Sequence, residues 1–286
     1  AGDAYGGGAL SEGGVLTNCL IAGNSAQFRG GGVNGGVLRN CILSGNSALT
    51  GGGTMDSILY DCTLTGNRAE GEGGGAYGQM LYRCTLTGNS AGLMGGGAAS
   101  AGLSNCVISA NSCEGVGGGA RGCWLYGCVV SDNTAPDGAG VSMGDLYYCS
   151  MIGNVAVTQG GGALAGNLYN CVLTGNSAAV GGGTHGSTLY NCTVLGNAAT
   201  QWGGGTIWGS IYNSVVCYNH SDVAYDNCAF PDEIRYSCTT PDPGGDNTGA
   251  DPLLVNAVAG DYRLRPESPC INVGNSSYVS WPSDMD

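Results

Sequence analysis

Apolar residues along this chain recur in short alternating pairs, not in helical stripes, and the pairs return every 21 or 22 residues. One column holds Leu16, Leu38, Leu59, Leu81, Leu103, Leu125, Leu146, Leu168, Leu189 and Ile211. Five residues further on, a second holds Ile21, Leu43, Leu64, Leu86, Ile108, Val130, Met151, Leu173, Val194 and Val216. Between them stands a cysteine column: Cys19, Cys41, Cys62, Cys84, Cys106, Cys128, Cys149, Cys171 and Cys192, with Ser214 in the tenth copy. Alternation of period two is the strand pattern, so the cysteine and the residue two after it should face inward while their neighbours face out.

On that reading the thiols are small apolar core groups. Disulfides along the column are disfavoured, because in-register parallel strands hold Cβ atoms about 4.8 Å apart, beyond the usual reach of about 3.5 to 4.5 Å. A straight column also lacks the tetrahedral convergence a structural metal requires, so no metal or other cofactor is expected.

Five residues after each cysteine position comes an unbroken asparagine column: Asn24, Asn46, Asn67, Asn89, Asn111, Asn133, Asn154, Asn176, Asn197 and Asn219. Stacked side-chain amides can donate to one neighbour and accept from the other, which predicts an asparagine ladder at a tight turn. Glycine triplets such as Gly30 to Gly32 and Gly181 to Gly183 begin eleven residues before most of the cysteines. The changes between 21 and 22 residues all fall between the asparagine and the next triplet, which reads as a tolerant surface loop.

A period near 22 with short strands and no returning helix predicts an all-β fold: a single-stranded parallel β-helix of about ten coils over residues 1–219. At about 4.8 Å per coil the rod is roughly 50 Å long. Residues 220–286 lose the repeat and read as an irregular capping segment. Leucine-rich repeats share the period, but their Leu-x-x-Leu-x-Leu-x-x-Asn pattern is absent.

Composition narrows the function classes. The 286 residues include 57 glycines, 21 acidic groups and 8 arginines with no lysine, a net charge of −13. Phosphate backbones and anionic lipid surfaces would repel such a chain, so nucleic-acid partners are not expected. No apolar run approaches the roughly 18 residues of a membrane-spanning helix, and no membrane insertion is expected. The opening "AGDAYGGG" shows no amphipathic cap and no charged-then-apolar leader, so Ala1 reads as a processed start or a fragment boundary.

Six cysteines lie off the column. Cys113 takes the place of a small core alanine, and Cys123 precedes a column cysteine. Cys217, Cys228, Cys238 and Cys270 fall in the irregular end, where a staple would help most, and are candidate disulfide partners as Cys217 with Cys228 and Cys238 with Cys270.

The closing phrase "ADPLLVNAVAGDYRLRPESPCINVG", preceded by "YSCTTPDPGG", resembles the end of bacterial secreted right-handed β-helix proteins. The coils are similar to the GGA and FxxN repeats of polymorphic outer-membrane and adhesin-type β-helices, with "LTGN" in the FxxN place. The resemblance implies a right-handed coil and an extracellular, secreted or cell-surface location. Such families continue to a surface anchor, and the sequence given ends at "SDMD" without one.

Three classes of function remain. An extracellular structural protein, assembling end to end into a surface filament, is favoured by the bare first coil and the sparse charge. An adhesin binding a cell-surface glycan is the alternative, with Tyr60, Tyr82, Tyr126, Tyr147, Tyr169, Tyr190 and Tyr212 as a candidate stripe two residues before the cysteine position. Thr63, Thr65, Thr85 and Thr87 resemble the Thr-x-Thr rows of ice-binding β-helices on two coils only. A polysaccharide lyase or hydrolase is the third class. Arg39, Asp61 and Arg83 read as a surface ion pair, His185 and His220 are isolated, and Asp132, Asp137 and Asp145 occupy different coil positions. No catalytic constellation is expected.

Overall fold

The computed structural model describes residues 6–10 and 13–278. Each coil turns through four short parallel strands. In one coil these are Asn167–Tyr169, Val172–Thr174, Ser177–Val180 and Thr184–His185. Stacking the coils makes four sheets, named here tyrosine, cysteine, asparagine and glycine sheets after the residues that lead into or line them. Three sheets have eleven strands and the asparagine sheet has nine, every neighbour pair being parallel and separated by one coil. The sequence thus specifies an all-β parallel solenoid.

Left-handed backbone residues make the corners. In the same coil they are Ala165 (φ 52°), Asn170 (φ 53°), Gly175 (φ 65°) and Gly181 (φ 66°). Asparagine recurs at the corner before the cysteine, as Asn18, Asn40, Asn105, Asn170, Asn191 and Asn213, because it tolerates this conformation better than most side chains. The second glycine of most triplets, with Ala139 in that place in one coil, allows close approach of the next coil. A Cβ on Gly96 would lie inside the carbonyl groups of Ser112 and Gly118 on the next coil.

The leucine column, the cysteine column and the column two after the cysteine form one continuous core along the axis. Alanines at Ala69, Ala91, Ala135, Ala156 and Ala178, with Cys113 among them, form a second, thinner cluster under the asparagine sheet. Cys113 therefore takes the alanine place expected of it.

Two sequence expectations need correction. The segment between the asparagine and the glycine triplet is a strand of the asparagine sheet, not a loop. Length changes there appear as shifts of register, as between Ala69 and Glu72 against Ala48 and Thr50. The repeat also runs past Asn219: Cys228–Ala229, Glu233–Arg235 and Cys238–Thr239 add an eleventh rung to three sheets. That rung is hidden in the sequence because Tyr225, Asp226 and Asn227 replace the triplet and Ser237 replaces the cysteine.

Residues 240–248 then close the C-terminal end: Thr248 pairs with Cys238, and the Asn247 side chain bonds to Ser237 N and Ile234 O. A hairpin of Leu254–Asn256 and Asp261–Leu264 folds back on the outside, placing Leu254 against Leu195, Cys217 and Cys238. At the other end, the expectation of a bare first coil rests partly on residues 1–5, which lie outside the described residues, as does "SDMD". The strands Ala9–Leu10, Val15–Thr17 and Leu20–Ala22 pair on one side only.

Candidate functional site

Both polar columns hold corners together. Asn111 donates from its backbone N (2.9 Å) and its Nδ2 (3.0 Å) to Asn133 Oδ1, and its Nδ2 also reaches Leu86 O at 3.0 Å. Its own Oδ1 accepts the N–H and the Nδ2–H of Asn89, each at 2.9 Å. The same pattern runs from Asn24 to Asn219 with the amides all pointing one way, and from Asn46 onward the column is buried. The ladder ends on Asn227, only eight residues after Asn219, whose Oδ1 accepts both Asn219 bonds at 3.1 Å.

The cysteine column does parallel work. Cys41, Cys84 and Cys106 each donate a backbone N–H to the sulfur one coil further on, at 3.4 Å. The thiols in turn donate to the carbonyl two residues back, as Cys171 does to Tyr169 O at 3.3 Å. Cys192 N finds Ser214 Oγ at 3.0 Å, Ser214 N finds Ser237 Oγ at 3.1 Å, and Ser237 N finds Asn247 Oδ1 at 3.0 Å. Apolar filling is therefore half of the cysteine's role. The other half is to satisfy an N–H that the corner takes out of the sheet ladder. From Cys41 to Cys192 the column is buried, and Cys19 in the first coil is half-buried.

Cys128→Ser should change stability by less than about 1 kcal/mol, whereas Cys128→Val, of suitable size but without an acceptor, should cost about 2 kcal/mol by orphaning Cys106 N. Urea denaturation of the two variants checks this.

All fifteen cysteines are free thiols. Burial pushes Cys41, Cys113 and Cys171 upward, and Cys123 up to about 11, keeping them protonated and unreactive at neutral pH. The pairing of Cys217 with Cys228 is excluded by geometry. Cys217 lies on the outer face under the hairpin, 3.9 Å from Cys238, while Cys228 points to the interior beside Thr239 Oγ1 at 3.3 Å. Cys238 does neighbour Cys270, and the contact raises the Cys270 thiol's pKa.

The tyrosine stripe is real but interrupted. Tyr60 stacks on Tyr82 at 5.0 Å, and Tyr147, Tyr169, Tyr190 and Tyr212 stack in series at 4.8 to 5.0 Å with planes within 15°. Tyr278 from the tail extends the series, 4.7 Å from Tyr212. Ser104 breaks the row, and Tyr126 turns edge-on to Tyr148. Since each ring covers the face of the next, the faces a sugar would stack on are already occupied.

The charged candidates do not converge. Arg83 grips Asp61 through two bonds of 2.8 Å, and Arg39 sits over the Tyr60 ring at 4.3 Å. The guanidinium of Arg83 holds the Asp61 carboxyl below its ordinary range, which ill suits a proton donor. His220 is exposed beside Asp222 at 3.1 Å. Asp132 occupies the corner after the cysteine sheet, Asp145 opens a tyrosine-sheet strand, and Asp137 ends a strand of the asparagine sheet. Thr63 and Thr65 lie in register with Thr85 and Thr87, flanked by Ile42 with Ser44 and by Val107 with Ser109.

One groove was not foreseen. Asp137, Gln159, Val180 and Trp202 end successive strands of the asparagine sheet and stack in register. Across the glycine corner lie His185, Ile207 and Trp208, and Thr158 completes a groove of about 350 Å³. Trp202 is 44% exposed and Trp208 50% exposed, while Ile207 is buried at the base. His185 packs edge-to-face with Trp208 at 4.9 Å, and burial lowers its pKa, keeping the imidazole neutral at pH 7. A sequence clue existed: two of the chain's four tryptophans fall within seven residues, at positions where other coils carry smaller side chains.

No known protein family and no curated protein matches the chain. Among solved structures, full-length QnrB1, a plasmid-mediated fluoroquinolone resistance protein, aligns over 88% of this chain and 92% of that one, at 14% identity and a TM-score of 0.27. A trypsin-treated variant of QnrB1 aligns over 79% of this chain and 81% of that one, at 14% identity and a TM-score of 0.24. Likeness at that level transfers neither geometry nor activity.

Proposed function

We propose that the chain is a rigid extracellular scaffold, a solenoid that holds rows of side chains at fixed spacing and presents them to the surroundings. The observation that supports this most is the asparagine ladder. It runs without a gap from Asn24 to its terminator Asn227 beside one continuous apolar core, so the coils are coupled from end to end. The extracellular part rests on the resemblance of the closing segment to secreted β-helix proteins.

Filament growth by head-to-tail stacking fits less well than the sequence suggested, because Thr248 pairs with the last cysteine-sheet strand and the Asn247 side chain bonds to Ser237 N and Ile234 O at that end. Contact between two copies through the first described strands, Ala9–Leu10, Val15–Thr17 and Leu20–Ala22, would be isologous and would close as a dimer. The enzyme reading finds support in neither the ion-paired Asp61 nor the single carboxylate of the groove, since glycoside hydrolysis generally takes a pair.

Sedimentation and negative-stain microscopy should show rods of roughly 50 Å, alone or in pairs, at every concentration. Long fibres would restore the filament. Antibody labelling of source cells should not require permeabilisation, and labelling seen only after permeabilisation would remove the extracellular assignment.

A further inference from the structure

We infer that the groove walled by Trp202 and Trp208 is a binding site for a short segment of uncharged polysaccharide. Both indoles are exposed, and among the described residues no stacked ring caps Trp202 as the tyrosines cap one another, whereas Tyr225 and Phe230 on the next rung pack on each other at 4.9 Å. Indole faces take up the apolar face of a pyranose ring, and the remaining lining supplies what its hydroxyls require. Asp137 offers acceptors, the Gln159 amide both donors and acceptors, and His185 a neutral ring nitrogen pair.

Charge selects among saccharides. Neither arginine nor lysine lines the groove, and Asp137 places a carboxylate in it, within a chain of net charge −13. Uronate or sulfated polymers would meet repulsion without a compensating cation, so the occupant is neutral.

Geometry sets its length. Asp137, Gln159, Val180 and Trp202 stand on four successive coils, three steps of about 4.8 Å, so the floor extends roughly 14 Å along the rod. That suits an oligosaccharide segment lying parallel to the solenoid axis better than a single sugar. The local sequence builds this floor. Between asparagine and triplet the coils of Asn133, Asn154, Asn176 and Asn197 alternate between short and long, and each mismatch shifts register just before these four residues.

Affinity electrophoresis of the full chain tests the site, in native gels containing hydroxyethylcellulose, xyloglucan, galactomannan or pullulan, with polygalacturonate as the anionic contrast. At least one neutral polymer should retard the protein, and polygalacturonate should not. Trp202→Ala and Trp208→Ala should each raise the half-retarding concentration at least tenfold, whereas Tyr169→Ala should leave it unchanged. Circular dichroism confirms that the variants fold. For any variant that does not, titration of the wild-type chain with the retarding polymer should shift its tryptophan fluorescence. Failure of every neutral polymer to retard the chain, retardation insensitive to both tryptophans, a wild-type fluorescence spectrum that does not move, or equal retardation by polygalacturonate would overturn the proposal. A scaffold without this site would still give the expected rods, so the two readings fail separately.

Discussion

Asn111→Asp should destabilise the solenoid by about 4 kcal/mol at pH 7, although it changes a single amide nitrogen to oxygen. The retained oxygen still accepts from Asn89, but the new one faces Leu86 O and Asn133 Oδ1, both of which had accepted a proton from Asn111 Nδ2. Three acceptors then meet in a site with no solvent access. The carboxyl's folded pKa must lie above its unfolded value of about 3.9, because only the protonated form can donate there. The folded state therefore holds a proton that the unfolded state releases, and stability falls as pH rises from about 4 towards the folded pKa. Urea denaturation at pH 4 and pH 7 should show the variant closer to wild type in acid. Asn111→Ala should instead lose about 3 kcal/mol at both pH values. An Asp variant that is insensitive to pH would mean the ladder is solvated.

Gly96→Ala should have a comparable effect through packing alone. The added methyl group would collide with Ser112 O and Gly118 O, which are backbone atoms of the next coil and cannot rotate away. Ala139 holds the equivalent place in a coil one residue shorter between asparagine and triplet, whereas the coil of Gly96 has the longer form, so we expect a loss of about 3 kcal/mol, the upper end of overpacking costs. Gly88→Ala is the control: its φ of 64° costs about 1 to 2 kcal/mol, but the space around it is open. Thermal denaturation of the two variants should rank them clearly. Equal melting temperatures would show that the coils can move apart.

Much of the architecture is written in the columns. Leu168, Leu173 and Asn176 could be assigned to core and turn from alternation alone, because a period-two pattern repeated at fixed spacing has few alternatives. Cys171 was only half legible. A thiol reads as a small hydrophobe, but its hydrogen bonds depend on the corner geometry: Cys171 donates to Tyr169 O and Leu146 O, and Cys128 accepts from Cys106 N one coil before it. The eleventh rung was obscured because Ser237, Asn227 and Asn247 do the column residues' work at the wrong spacings. The groove was harder still. Its residues come from two columns, each variable along the sequence, and only a shared corner brings Trp202, Trp208 and Asp137 together. The tyrosines show the converse: a conspicuous row in the sequence whose faces turn out to be occupied by one another.

The one-way direction of the amide ladder also has a consequence for biosynthesis. Each ladder asparagine gives its backbone proton and one of its two amide protons to a partner that lies later in the chain, 21 or 22 residues on in the repeats, the other amide proton going to a carbonyl of the coil before. A coil leaving the ribosome thus carries two unanswered donors until the following coil has been translated, and the growing end is always its least settled part. Asn227 breaks that dependence by answering Asn219 from eight residues away. Completion of the rod is therefore marked within the chain itself, at the point where a coil no longer has to wait for its successor.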